Sequence, residues 1–429
     1  MAVKYWTGQA SLYEFDYDGG AHSPVAGEVI YVDTEEATEY ATIQSWTVAS
    51  GAWATNDAAG KMWVYSATAA FISNLANNDV IEDSGGTKIC DTTGGTTDKE
   101  GDWQAPGNWG TGEDPAVPVA DDEVVFDGRS TQAPDEGMLD SESGATAQCT
   151  YDLLHFKSSW AQGVASAAEP LCCAPDKLVI DGTGTYYILC GKDDQSTDAD
   201  VDTTIINNKS ATVYLYSNAN DGANTCQFTE VYVTAGTLYV SYYSVDTDDQ
   251  GCYIPDLYVT PKNDAKANAT VVIAKDCYKV NGTVAGNIRM NNGELTTDSM
   301  VGIFEIRNGV VYYGTDLAAS PETALDIATL RLHGGTFYWR PDDSGDDAYI
   351  SDLYVFGGTF NASSTTNRDR AKVLGNGAGN DIYLFEGGTM DLANGMGNIT
   401  IAASSQFWNF GGTLTVDSYS QLTMTYDQP

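Results

Sequence analysis

The chain has 429 residues, of which 20 are Lys or Arg and 60 are Asp or Glu, giving a formal charge of −40. Such an acidic chain has little with which to displace counterions from phosphate, so it is no free nucleic-acid binder, and anionic membrane surfaces are disfavoured for the same reason. An apolar fraction of 42% is enough for a large core, which excludes wholesale disorder.

Residues 1–98 read as a small β-rich module, an attachment or capping unit for the rest of the chain. Alternating runs at Glu28–Val32, Tyr40–Val48, Lys61–Tyr65 and Val80–Ile81 are separated by Gly, Asn and Asp, and Trp6, Trp46, Trp53 and Trp63 fall among them. Ala67–Asn77 has helical period, with Phe71, Ile72 and Leu75 on one face. The opening residues lack an apolar core of signal-peptide length. No stretch approaches the roughly 18 apolar residues of a membrane span, so no membrane insertion is expected.

Residues 99–128 form a junction rich in Gly, Pro, Trp and acid that ends in a predicted strand, Glu123–Phe126. From 129 to 429 the pattern is that of a β-solenoid whose first part is loop-rich. Weak rungs are expected at Thr150–Phe156, Lys177–Gly182 and Ala211–Tyr216, with loops over 130–175.

Regular repetition starts at about residue 229. The segments EVYVTAGTLYV (230–240), TLRLHGGTFYW (329–339), DLYVFGGTFNA (352–362) and QFWNFGGTLTV (406–416) share one template: an apolar alternation, a Gly-containing turn, usually Thr, and a second alternation. The marker glycines are Gly236, Gly282, Gly309, Gly335, Gly358, Gly388 and Gly412. If the wide first gap hides one degenerate copy near Asp256–Asp264, the mean period is (412 − 236)/7, about 25 residues. Units that short bury their apolar face only against their neighbours, and a propeller blade needs about 40 to 45 residues. The fold class expected is therefore all-β, a small N-terminal module followed by a parallel β-helix with rungs of about 25 residues.

Within a rung, Leu353 and Val355 should point inward and Tyr354 and Phe356 outward. Each marker glycine should supply a positive φ or a close backbone approach. Cys226, Cys252 and Cys277 are spaced at the rung period, which predicts one row on successive rungs, within reach of disulfide bridging. The eight cysteines otherwise read as buried thiols.

No catalytic, cofactor-binding or metal-binding residue is assigned. His22, His155 and His333 are the only histidines, and His333 reads as a rung-surface residue. The acid groups Asp342/Asp343 with Asp346/Asp347, and Asp246/Asp248/Asp249, are the one enzymatic option, and composition alone produces such groups in a chain with 60 acids. Asp198-x-Asp200-x-Asp202 looks like the start of a calcium loop, but Thr203 and Lys209 stand where the loop needs Gly and Glu, so it reads as a solvated acidic loop. The 26 Tyr permit sugar stacking and equally permit cross-strand ladders.

The run Trp103…Asn108-Trp109…Asp114-Pro115…Asp121-Asp122-Glu123-Val124-Val125-Phe126, followed by GGT-type rungs, resembles β-helical passengers of adhesin-type and tailed-bacteriophage virion proteins. The resemblance implies a non-enzymatic structural protein of a phage particle, released by host lysis. It implies a capsid decoration or head-fibre protein, a homotrimer seated on the major capsid protein or another virion protein. The alternatives are a tail fibre or tailspike that binds host surface glycan, and a bacterial surface adhesin.

Overall fold

A computed structural model describes the chain apart from residues 1, 33–37, 120, 131, 135–150, 165–169, 191–199, 218, 221–223, 226, 241–253, 262–268, 274–286, 298–300, 314–325, 341–347, 363–371, 376–378, 393–398, 403–404 and 417–429. The fold is nearly all β: a barrel-like N-terminal module of six strands and a parallel β-solenoid with rungs of about 26 residues. Two compact units divide the chain, Met1–Cys173 and Ala174–Pro429.

In the first unit the barrel strands are Tyr13–Gly20, Val29–Val32, Tyr40–Ser50, Ala58–Tyr65, Val80–Glu82 and Lys88–Thr92. Val29–Val32 pairs with both Tyr40–Ser50 and Val80–Glu82, which closes the sheet and removes its edges. Alternation fills the interior with Phe15, Tyr17, Ile30, Ile43, Met62 and Ile89. The expected helix is present as Ala69–Asn74, shorter than its periodic stretch. Thr68 caps it by accepting from the Phe71 amide, and Phe71 drops into the barrel core.

The same unit holds a short parallel stack. Val3–Tyr5 pairs with Glu123–Phe126, which pairs with Leu153–Phe156, all in parallel register. Successive inward positions are aromatic, so Phe126 stacks on Phe156 at 4.6 Å and packs against Trp6, Trp103, Trp109 and Trp160. Parallel pairing thus begins at residue 3; Leu153–Phe156 is the strand of the weak rung expected at Thr150–Phe156, and Leu171–Cys173 is a strand where a loop was expected.

The second unit is a stack of parallel strands, with register shifts between Ile206 and Thr212. One inward column reads Leu178, Thr204, Val231, Leu257, Ile288 and continues Phe304, Leu330, Leu353, Ile382. All nine are fully buried. Parallel strands buried along such columns stabilise one another by backbone pairing and apolar burial together. Leu353 and Val355 are buried, Tyr354 is half-buried and Phe356 exposed, as the alternation requires.

The corner after this row lies at 236, 269, 293, 309, 335, 358, 388 and 412, with seven turns between the first and last. The hidden copy in the wide gap exists: Asp256–Val259 is its first strand and Ala269 takes its corner. Gly282 lies outside the described residues, and Gly293 holds the next corner. Positive φ is found at Gly236, Gly309, Gly335 and Gly358, whereas in the last two copies it moves to Gly387 and Gly411, leaving Gly388 and Gly412 as close-approach positions.

Candidate functional site

Register places one outward column across eight rungs: Tyr232, Tyr258, Arg289, Glu305, Arg331, Tyr354, Tyr383 and Trp408. The order is aromatic, aromatic, cation, acid, cation, then three aromatics. Several members contact their rung neighbours directly. Tyr232 and Tyr258 stack at 4.5 Å and 6°. Arg289 comes next, with Nη1 donating to the Tyr258 hydroxyl at 2.7 Å and to Asp256 at 3.1 Å. Tyr354 and Tyr383 stack at 4.9 Å and 5°.

A second outward column runs His333, Phe356, Phe385, Phe410, with successive centroids 4.7, 4.8 and 5.3 Å apart. On the sheet beyond the glycine corner, Tyr187, Tyr214 and Tyr239 stack at 4.7 Å per step. These distances match the strand spacing of about 4.8 Å, which sets ring against ring whenever register holds. A ring inside such a column has both faces covered by its neighbours and offers solvent only an edge. A sugar stacks on an aromatic face, so the ladder reading of the tyrosines holds for the interior rings.

Burial pushes four of these tyrosines up in pKa. Tyr232 is pushed up to about 12, first by burial and then by its hydrogen bond to Glu230. Tyr214, Tyr354 and Tyr383 are raised, with burial again the first cause. These hydroxyls therefore stay neutral and serve as hydrogen-bond donors, as Tyr383 does to Asp381 at 3.0 Å.

Asp342, Asp343, Asp346 and Asp347, Asp246, Asp248 and Asp249, and the cysteines Cys226, Cys252 and Cys277 all lie outside the described residues, as does Asp198. Asp200 and Asp202 are exposed positions of the strand Asp200–Ser217 rather than part of a loop, because Val201 between them is an inward residue. Asp200 accepts from Gln227 one rung on, at 3.0 Å. Among the described residues no three His, Cys, Asp or Glu side chains are grouped to hold a metal ion. His333 sits on the rung surface, stacked on Phe356, with Nε2 3.9 Å from Glu305. Cys90, Cys173 and Cys190 are buried, and burial drives the Cys90 thiol strongly upward in pKa, away from thiolate chemistry.

One concave feature escaped the sequence reading. A cavity of about 260 Å³ opens along Val3–Tyr5, with Trp109 and Arg129 in its wall. The Arg129 guanidinium lies over the Tyr5 ring, 3.9 Å from the centroid, and Lys157 Nζ approaches the same ring at 5.5 Å. No short motif encodes this site, since its parts are more than a hundred residues apart in the chain.

Comparison with protein-family models, with curated proteins and with solved structures gives no match for this chain.

Proposed function

We propose that this chain is a non-enzymatic structural protein of a tailed-phage particle: a capsid decoration or head-fibre protein that seats on the capsid and presents an acidic β-helix. The observation that carries the reading is the outward column from Tyr232 to Trp408. Tyr232, Tyr258, Arg289, Tyr354 and Tyr383, side chains that an enzyme or lectin would aim at a ligand, are engaged here with neighbouring rungs. Stacked rings and the Arg289–Asp256 pair make each rung a template for the next, which suits a part whose work is to hold a form. A charge of −40 keeps particles apart in solution. Phe356, Trp408 and Phe410 remain 37%, 44% and 54% exposed on one face and give a homotrimer an apolar strip to cover.

The test is the copy number and position of the chain in purified particles, by quantitative mass spectrometry with electron microscopy. Hundreds of copies over the head are expected. A few to tens of copies at the tail would replace decoration by a fibre or spike, whose glycan would then be sought. Absence from particles would overturn the phage reading and return the adhesin.

A further inference from the structure

Val3–Tyr5 is the end strand of its stack, paired among the described residues only with Glu123–Phe126. The Glu123 amide donates to the Ala2 carbonyl at 2.8 Å and the Trp6 amide donates to the Val125 carbonyl at 2.9 Å. Backbone groups alternate sides along a strand, so Ala2, Lys4 and Trp6 face the neighbour, while the amides and carbonyls of Val3 and Tyr5 face the opposite way. That edge borders the cavity, and among the described residues nothing pairs with those groups. Val3 itself is 48% exposed. An open edge of this kind is a template for a further strand.

The surroundings carry a sign. Lys4 and Arg129 line the cavity, and no acidic residue is among the described residues of its wall, in a chain where acids outnumber bases 60 to 20. Arg129 sits over the Tyr5 ring with only its Nε near a carboxylate, Asp127 at 3.4 Å, so among the described residues its two terminal nitrogens have no acidic partner. Lys157 adds a third cation over the same ring and forms no ion pair among the described residues. Guanidinium geometry favours a carboxylate held by two parallel hydrogen bonds.

We infer that Val3–Tyr5 is a docking edge for an extended peptide segment carrying an acidic side chain. The peptide backbone adds a strand through the outward amides and carbonyls of Val3 and Tyr5, and its carboxylate lies on Arg129. Main-chain bonds supply the register and the cation selects the side chain.

The test uses the full chain and a labelled, end-blocked Val/Thr heptapeptide with a central Glu, followed by fluorescence anisotropy. Two companion peptides accompany it, one with Lys in place of Glu and one N-methylated at alternate residues, and inorganic phosphate serves as the anion-only competitor. The Glu peptide is expected to bind at least ten-fold more tightly than the Lys peptide and the N-methylated one. Arg129→Glu should invert the Glu/Lys preference; Arg129 is exposed, so the fold is expected to survive, and an unchanged melting curve verifies it. Equal binding of the N-methylated peptide, displacement by phosphate alone at equal concentration, indifference to the charge at 129, or no binding by any peptide at millimolar concentration would each overturn the inference.

Discussion

The carbonyl oxygen of Gly335 lies 2.5 Å from the point where a Cβ on Gly358 would stand, and Gly358 has φ +72°. The corner is therefore closed to side chains twice over, by backbone conformation and by the rung beneath. Gly309 repeats the relationship over the Gly293 carbonyl. Gly358→Ala should cost about 1–2 kcal/mol for the left-handed backbone and a further ~1–3 kcal/mol for forcing two rungs apart. Gly379, with φ +92° and nothing within 4 Å of its Cβ position, isolates the first cost. Urea unfolding should rank Gly358→Ala well below Gly379→Ala. Equal losses would show that rung contact at the corner adds nothing.

Alkali should unfold this protein in a definite window. The unfolded chain's tyrosines ionise near pH 10, while Tyr232 in the fold is pushed up to about 12. A raised folded value means that the contribution is fully present below about pH 10 and is lost as pH climbs through the folded value. Tyr186, Tyr214, Tyr354 and Tyr383 are shifted the same way, so the losses add. Urea midpoints taken at intervals from about pH 9 to 12 should fall across that window, and Tyr232→Phe should fall less steeply than the parent. A flat profile, or one identical in the variant, would refute the assignment.

Thr204 is the polar member of a buried apolar column, between Leu178 and Val231, and among the described residues its Oγ1 has no hydrogen-bond partner. An unsatisfied buried hydroxyl costs about 1–3 kcal/mol. Thr204→Val keeps the shape and removes the hydroxyl, so it should stabilise the chain by about 1 kcal/mol. The same change at the neighbouring half-buried Thr203 should do little. Destabilisation at 204 would mean that the hydroxyl is satisfied after all.

How much of this was legible in the sequence depended on range. Alternation is local, so Leu353 and Val355 against Tyr354 and Phe356 could be assigned from the residues alone, and so could the strand hidden at Asp256–Val259. Glycine was a poorer guide. Ala269 takes a corner without it, and the turn from Gly293 to Gly309 spans only 309 − 293 = 16 residues, because a solenoid fixes pairing at its strands and lets its loops vary. Val3–Tyr5 could not be placed: three residues carry no period, and the partner strand lies 120 positions on. The edge left unpaired among the described residues and the cation over Tyr5 result from that pairing, so they were invisible for the same reason. The acidic triplet failed differently. Asp200 and Asp202 read as part of a solvated acidic loop and are indeed exposed, but Val201 is a core residue of a strand, and burial of one apolar side chain decided the backbone there.

Asn108 supplies the sharpest test of the junction. It is fully buried among the tryptophans, where its Nδ2 donates to the carbonyls of Lys99 at 3.0 Å and Asp102 at 2.8 Å. Its own backbone carbonyl accepts from the Thr7 amide at 2.8 Å, one of several bonds that tie the N-terminal segment to the junction. Asn108→Asp preserves the shape but replaces two donated bonds by a carboxylate facing two carbonyl oxygens. A buried charge left without a partner costs about 3–5 kcal/mol. The fold will favour the protonated acid, which raises its pKa above the unfolded value near 3.9. The penalty should therefore be smallest below about pH 4 and grow as pH rises through the folded value. Asn108→Ala removes the same bonds without the charge, so its loss should be smaller and independent of pH over that range. Urea unfolding of both variants at about pH 4 and about pH 7 distinguishes them: a loss for Asn108→Asp that does not shrink in acid would show that the cost comes from the lost bonds and not from the charge.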